Sequence, residues 1–410
     1  MNGNCSTTGY KSPERLPDAA ALECQWKSID WKKAEAEVNR LQTRIAKATQ
    51  EKKWKIVKRL QYLLTHSYYA KVLAIRNVTT SKGKKTPGVD GELWSTPAAK
   101  MRGVLTLTDK GYKAKPLRRV FIEKKGKKAK RPLGIPCMYD RAMQALYALA
   151  LDPVSETTAD TKSFGFRKGR CAQDACEYIF TALSRSFSPQ WVLEGDIKGC
   201  FDHISHDWLI EHIPMDKSVL KQFLKAGFVF QRELFPTDGG TPQGGVISPI
   251  LANMALDGMQ EVLSDRFHTN RLGNVDIRFK NAHKVNLVRY ADDFIVTAAT
   301  KEIAEEAKEI IRDFLQTRGL ELSEEKTVIT HIDNAFDMLG WTFRKFKGKL
   351  IVKPSKKSLK AFKSALSETI LGRGKAWKQE VLIEKLNQQI RGWTNYHQSV
   401  CASEAFAHID

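Results

Sequence analysis

Asp292 and Asp293 stand side by side in the run Leu287-Val288-Arg289-Tyr290-Ala291-Asp292-Asp293-Phe294-Ile295-Val296. Aspartate is disfavoured inside strands and at home in turns. The run therefore reads as two short apolar strands with the acids at the tip of a hairpin. Two adjacent like charges raise each other's pKa unless a cation joins them, and a hard divalent ion with oxygen ligands is the natural partner. A solvated turn is the ordinary alternative; the apolar strands on both sides argue against it. A third carboxylate should then exist elsewhere. Asp196 meets that need, at the C-terminal end of the strand-like Trp191-Val192-Leu193-Glu194-Gly195-Asp196-Ile197. Asp202, six residues on, is a second candidate or else a cap for the following helix. Asp196, Asp292 and Asp293 could together hold two Mg2+ ions, or Mn2+, about 3.5–4 Å apart. One ion would lower the pKa of an attacking 3′-hydroxyl and the other would stabilise a leaving pyrophosphate. The rest of such a site is positioning and positive charge. Lys124 and Arg131, in a basic hairpin, could clamp a triphosphate. Lys326 could hand a proton to the pyrophosphate, or be an exposed turn lysine.

The chain that must position these groups has 410 residues, a net charge of +21 and 42% hydrophobic residues. This suits a globular protein with a sizeable core and a polyanionic partner. The charge is clustered: residues 32–59 carry +7, 110–131 carry +10 and 341–410 carry +9. Three basic patches on a mildly acidic body read as a nucleic-acid track. The seven cysteines are scattered without a C-x-x-C, which speaks against a zinc ribbon and for a reducing cytoplasm. No apolar run reaches the length of a membrane span, the first residues show no signal h-region, and their acids argue against a transit peptide.

Residues 1–30 read as a flexible arm. Val38, Leu41, Ile45 and Ala48 then fall on one helical face, and Trp54, Val57, Leu60 and Leu64 on another. Both helices have basic outer faces, either solvated or in contact with RNA. Residues 81–91 form a breaker-rich loop that lacks P-loop spacing. A basic hairpin pairs residues 118–123 with 131–136, and a helix follows from Asp140 to about Leu151. Residues 239–245 make a tight turn, and Val246 to Leu263 reads as one helix. Ile303 to Arg318 is amphipathic and closed by Gly319. Short strands are expected at 320–323 and 327–329, a further strand and turn at 336–341, and basic helices at 353–370 and 381–393. The last leads into an Asn-Tyr-His turn and a short helix through Ala402, Ala405, Phe406 and Ile409. Strands and helices on a shared sheet give an α+β core.

With these motifs in place, the chain resembles the group II intron-encoded reverse transcriptases of bacteria. Tyr290-Ala291-Asp292-Asp293 resembles the reverse transcriptase active-site box, and Asp196-Ile197-Lys198-Gly199-Cys200-Phe201-Asp202 the companion palm strand. Pro87-Gly88-Val89-Asp90-Gly91, Arg131-Pro132-Leu133-Gly134-Ile135-Pro136, Ser163-Phe164-Gly165-Phe166-Arg167, Thr241-Pro242-Gln243-Gly244-Gly245 and Arg391-Gly392-Trp393-Thr394-Asn395-Tyr396-His397 follow the family's pattern in order.

The resemblance implies a right-hand polymerase with fingers, an antiparallel palm sheet flanked by helices, and a helical thumb, the maturase or X domain. Its divisions would be an arm at 1–30, a basic extension at 31–95, fingers and palm at 96–345 and a truncated thumb at 346–410. It implies metal binding by Asp196, Asp292 and Asp293 with the Ile197 carbonyl. Phe201 would be a steric gate against ribose, Gln243 and Gly244 the nucleotide-pocket turn, Leu339 and Gly340 the primer grip, and Lys326 the general acid. The implied partners are intron RNA, an RNA template with a DNA primer, dNTPs and target DNA, in a bacterial cytoplasm. A thumb short of its last helix and no H-N-H nuclease are expected, since only seventeen residues follow Trp393. An RNA-binding maturase with incidental polymerisation, and a retron, diversity-generating or defence-associated polymerase, remain as alternatives.

Overall fold

The computed structural model describes residues 17–123, 130–267 and 282–409. Five helices come first: α1 (Ala19–Lys27), α2 (Trp31–Gln50), α3 (Trp54–Thr65), α4 (Tyr68–Thr80) and α5 (Pro97–Thr106). Asp18, Asp30 and Thr96 cap α1, α2 and α5 by accepting the amides of Ala21, Lys33 and Ala99. The expected arm is thus wrong over its last residues: α1 is ordered, with Leu22 fully buried, and it packs on α5. Val38, Ile45, Ala48, Val57, Leu60 and Leu64 are buried as their spacing predicts, whereas Trp54 is half-exposed at the start of α3.

β1 (Leu117–Glu123) and β2 (Lys130–Ile135) form the basic hairpin, with Val120 opposite Leu133. Lys124 lies outside the described residues. α6 (Met138–Thr157) starts earlier and ends later than the sequence suggests, running through Pro153. Proline removes the amide that would have bonded the Leu149 carbonyl. Gln42 Nε2 from α2 takes that carbonyl instead, at 2.7 Å.

α7 (Ala172–Leu183), β3 (Trp191–Asp196), α8 (Cys200–His203), α9 (His206–His212), α10 (Lys217–Leu224), β4 (Phe228–Phe230) and β5 (Glu233–Phe235) follow. β4 and β5 extend the hairpin into a sheet of order β2-β1-β4-β5. The expected helix from Val246 to Leu263 is two helices, α11 (Ser248–Leu256) and α12 (Met259–Phe267), broken at Asp257-Gly258. Gly258 has φ +97°, and the Asp257 carboxylate is engaged by two arginines, as described below.

β6 (Asn286–Tyr290), β7 (Asp293–Ala298), α13 (Lys301–Gln316) and β8 (Val328–His331) complete the central sheet, whose order is β6-β7-β3-β8. All its neighbours are antiparallel. Alternate residues serve two cores, which explains the continuous apolar runs. Leu193, Leu287 and Val296 pack with Ala307 and Ile311 of α13. Val192, Val288 and Ile295 pack with Ala175, Ile179 and Leu183 of α7. Residues 320–323 are not a strand; Leu322 makes a single bridge to Ile197, and residues 324–326 are a turn.

β9 (Phe336–Met338), β10 (Trp341–Phe346) and β11 (Lys349–Pro354) make a three-stranded sheet. Then come α14 (Lys356–Ser367), α15 (Gln379–His397) and α16 (Ser403–Ala407). Lys353 is therefore in a strand, and Ser355 caps α14 by accepting the Ser358 amide. The expected turn at Asn395-Tyr396-His397 is the last turn of α15. Ala402 and Ala405 are buried, and Phe406 meets the Trp393 ring edge-on at 5.8 Å.

Candidate active site

Antiparallel pairing of β3 with β7 sets Asp196 directly opposite Asp293. Asp292 lies on the two-residue link between β6 and β7. Its neighbour Ala291 has φ +59°, a conformation costly for any side chain larger than glycine's hydrogen. Arg289 holds it there: one guanidinium arm donates to the Ala291 carbonyl at 3.3 Å and to Asn253 Oδ1 at 3.2 Å. The other arm meets Asp257 at 2.6 Å. Asp257 also takes Arg167, at 2.7 and 2.9 Å. Arg289 has no exposed surface, and a buried charge is tolerable only when paired in this way. Residues 162–164 run along β6, exchanging backbone bonds with Arg289. Gly165 then presses on the turn so closely that a Cβ would lie 2.3 Å from the Ala291 nitrogen.

Among the described residues, the acids are short of counter-charge. Asp293 is pushed up to about 6, by burial first and then by the charges of Asp292 and Asp196. Burial also raises Asp292, with Asp196 adding to it. Lys326 makes an ion pair with Asp196, which raises the lysine. Backbone bonds aim it: Ser323 N donates to the Asp196 carbonyl at 2.8 Å and Lys198 N to the Glu321 carbonyl at 2.9 Å. An oxygen-only donor set with raised carboxylates fits hard divalent cations. It is not a preassembled cage. Among the described residues, no three such side chains converge as a metal-ligand group. Asp196 and Asp293 face each other, Asp292 stands on the turn, and Asp196 is engaged by Lys326.

A cleft of about 670 Å³ opens over these acids and is also lined by Arg131, Phe201, Gln243, Gly244, Lys326 and Ile197. Phe201, in α8, is fixed from behind by Thr241, whose amide donates to the Phe201 carbonyl at 2.6 Å. Gln243 anchors the turn on β2, its carbonyl accepting from Gly134 N at 2.8 Å. Gly244 has φ +111°, and a Cβ there would lie 2.8 Å from the Gly134 oxygen. Asp202 caps nothing. It lies within α8 and receives Gln243 Nε2 at 3.3 Å, while Ser205 caps α9. Leu339 and Gly340 lie outside the cleft lining, in the turn between β9 and β10.

Sequence reasoning gave no role to Phe166, which is 54% exposed, has φ +60°, lines the cleft and meets the Phe201 ring at 6.0 Å. It also missed the Arg289–Asp257–Arg167 cluster. A signal existed: an arginine in the middle of an apolar strand demands a buried acid.

Residues 122–343 match the family model described as reverse transcriptase (RNA-dependent DNA polymerase). Residues 26–107 match the N-terminal domain of reverse transcriptase, and 359–410 the group II intron maturase-specific domain. The chain belongs to the reverse transcriptase family, in its group II intron-encoded branch. It is 31% identical over 359 residues to the group II intron-encoded protein LtrA of Lactococcus lactis subsp. cremoris, covering 73% of this chain and 59% of that protein. It is 31% identical over 315 residues to protein YkfC of Escherichia coli K12, covering 69% of this chain and 82% of that one. The chain thus spans about three fifths of the length of the lactococcal relative. Telomerase from Candida albicans superposes with a TM-score of 0.42 at 13% identity, covering 70% of this chain and 54% of that one. No helix among the described residues is long and apolar enough to cross a membrane.

Proposed function

We propose that the chain is an RNA-directed DNA polymerase of a group II intron, which also binds the intron RNA and assists its splicing. The observation that carries this reading is the pairing of Asp196 with Asp293, beside Asp292, on the floor of a cleft walled by Phe201, Gln243 and Arg131. Asp196, Asp292 and Asp293, with the Ile197 carbonyl, would hold two Mg2+ ions, which supply charge neutralisation and a more acidic primer hydroxyl. The chain's own residues do the rest. Arg131, with Lys124, clamps the triphosphate. Gln243 and Gly244 fix the nucleotide against β2. Phe201 closes the space that a ribose 2′-hydroxyl would need. Lys326, an ammonium beside Asp196, donates its proton to the leaving pyrophosphate oxygen. Leu339 and Gly340 steady the primer end.

A fingers and palm region would begin near residue 96, but a thumb bound near 346 cuts the β10–β11 hairpin, so a bound just before α14 suits the sheets better. The basic outer faces of α2 and α3 suit intron RNA, and a DNA target and a bacterial cytoplasm complete the proposal. A binding-only maturase is the weaker reading, because clustered acids with raised pKa values burden a fold that merely grips RNA. The test is dNTP incorporation on an RNA template, alongside intron RNA binding. Asp196→Asn should abolish incorporation and spare binding. Incorporation by the variant at the wild-type rate would end the reading.

A further inference from the structure

The catalytic cleft assigns nothing to the end of α15, although Trp393-Thr394-Asn395-Tyr396-His397 is among the chain's most distinctive stretches. This end turns back into the palm. Tyr396 Oη donates to the Leu339 carbonyl at 2.8 Å. Leu339 and Gly340 have φ +52° and +84°. A leucine in the left-handed region is strained and persists only when its surroundings hold it. Two external bonds do so here, since Ser355 N, from the cap of α14, donates to the Gly340 carbonyl at 2.8 Å. Both carbonyls of the turn are therefore bonded by residues that begin or end thumb helices.

The Tyr396 ring cannot drift. It lies flat on Trp341 at 4.7 Å and 2°, and Trp341 has no exposed surface. The Tyr396 carbonyl accepts from Gln173 Nε2 of α7 at 3.3 Å. Tyr290, which opens the catalytic turn, belongs to the same packed cluster as Leu339 and Tyr396. One hydroxyl thus links the thumb helix, the β9–β10 turn and the neighbourhood of the catalytic turn.

We propose that Tyr396 is a positioning residue for the primer: its hydroxyl sets the Leu339 carbonyl and so the shape of the turn that steadies the primer end. This rests on the reading of Leu339 and Gly340 as the primer grip. It gives part of the maturase-specific segment a direct part in polymerisation, distinct from holding RNA.

The experiment uses the full chain with a short primed RNA template, and compares Tyr396→Phe, Gly340→Ala and the double variant. Tyr396→Phe keeps the stack on Trp341 and removes only the hydroxyl. It should raise KM for primer–template roughly three- to tenfold, the scale of one lost neutral hydrogen bond. kcat at saturation should stay unchanged and the melting temperature should fall by no more than a few degrees, whereas a merely structural role would lower the melting temperature and leave KM unchanged. Gly340→Ala should also raise KM, and the double variant should fall short of the product of the two effects, because both act on one turn. If Gly340→Ala raises KM and Tyr396→Phe does not, the role of Tyr396 is overturned and the primer grip stands. Additive effects overturn it equally. If Gly340→Ala leaves KM unchanged, the primer-grip reading itself fails, and the proposal with it.

Discussion

Arg289 is the residue on which the catalytic turn hangs. Its guanidinium spans Asp257 on one side and the Ala291 carbonyl on the other, the first contact partly and the second fully buried. Neutralising Asp257 leaves Arg289 and Arg167 without their shared carboxylate. Loss of one partner of a buried pair costs about 3–5 kcal/mol, so Asp257→Asn should lose stability of that order by chemical denaturation. Arg289→Lys cannot reach both contacts. Its extension rate per folded molecule should fall roughly tenfold to a hundredfold, as expected when a reacting group is misplaced. An unchanged rate would mean that the turn holds itself. Asp196, Asp292 and Asp293 were readable from sequence because acids at strand ends are anomalies of composition. Asp257 was not. It sits in a run that scans as uninterrupted helix, and only the structure shows the break there and the arginines that occupy it.

Elements whose burial is one-sided were the readable ones. α2, α3 and α13 carry apolar residues at helical spacing and appear where that spacing predicts. α4 buries Ala70, Val72, Ala74, Ile75 and Val78, which spread over a broad arc of the helix rather than a narrow stripe, so no sharp period marks it. The central strands were found because both their faces are covered. α6 shows the opposite failure, since Pro153 looks like a stop and is not. The helix continues because Gln42 satisfies the Leu149 carbonyl that the proline orphans. Gln42→Leu should therefore cost about 0.5–1.5 kcal/mol, the net contribution of one hydrogen bond at a half-buried carbonyl, measured by urea denaturation against wild type. No loss of stability would mean that the carbonyl finds another donor. The Leu339–Gly340 turn was placed correctly in sequence, but its dependence on Tyr396 involves two segments 57 residues apart, which no local pattern can reveal.

At the scale of the molecule, charge and fold divide the work. The net charge of +21 is concentrated in stretches that the fold places on α2, α3, the β1–β2 hairpin and the thumb. RNA affinity should fall with salt by roughly 0.7–0.9 log units per log unit of salt for each phosphate contact. Changing Lys52, Lys53, Lys55 and Lys58 to Glu should weaken intron RNA binding and flatten that slope, while extension on a short primer–template changes little. Equal loss of both activities would put α3 on the template path instead. The proposed catalytic groups converge on the cleft floor, and Asp292 tests the assignment most directly, because its carboxylate stands on the turn and closes no ion pair among the described residues. Single-nucleotide extension of a primed RNA template with dNTPs and Mg2+ should proceed for the wild-type chain. It should fall by roughly a hundredfold or more for Asp292→Asn, the scale of lost transition-state charge stabilisation, with RNA affinity and melting temperature retained. Extension by Asp292→Asn at a rate near wild type would contradict the assignment of the cleft as the polymerase site.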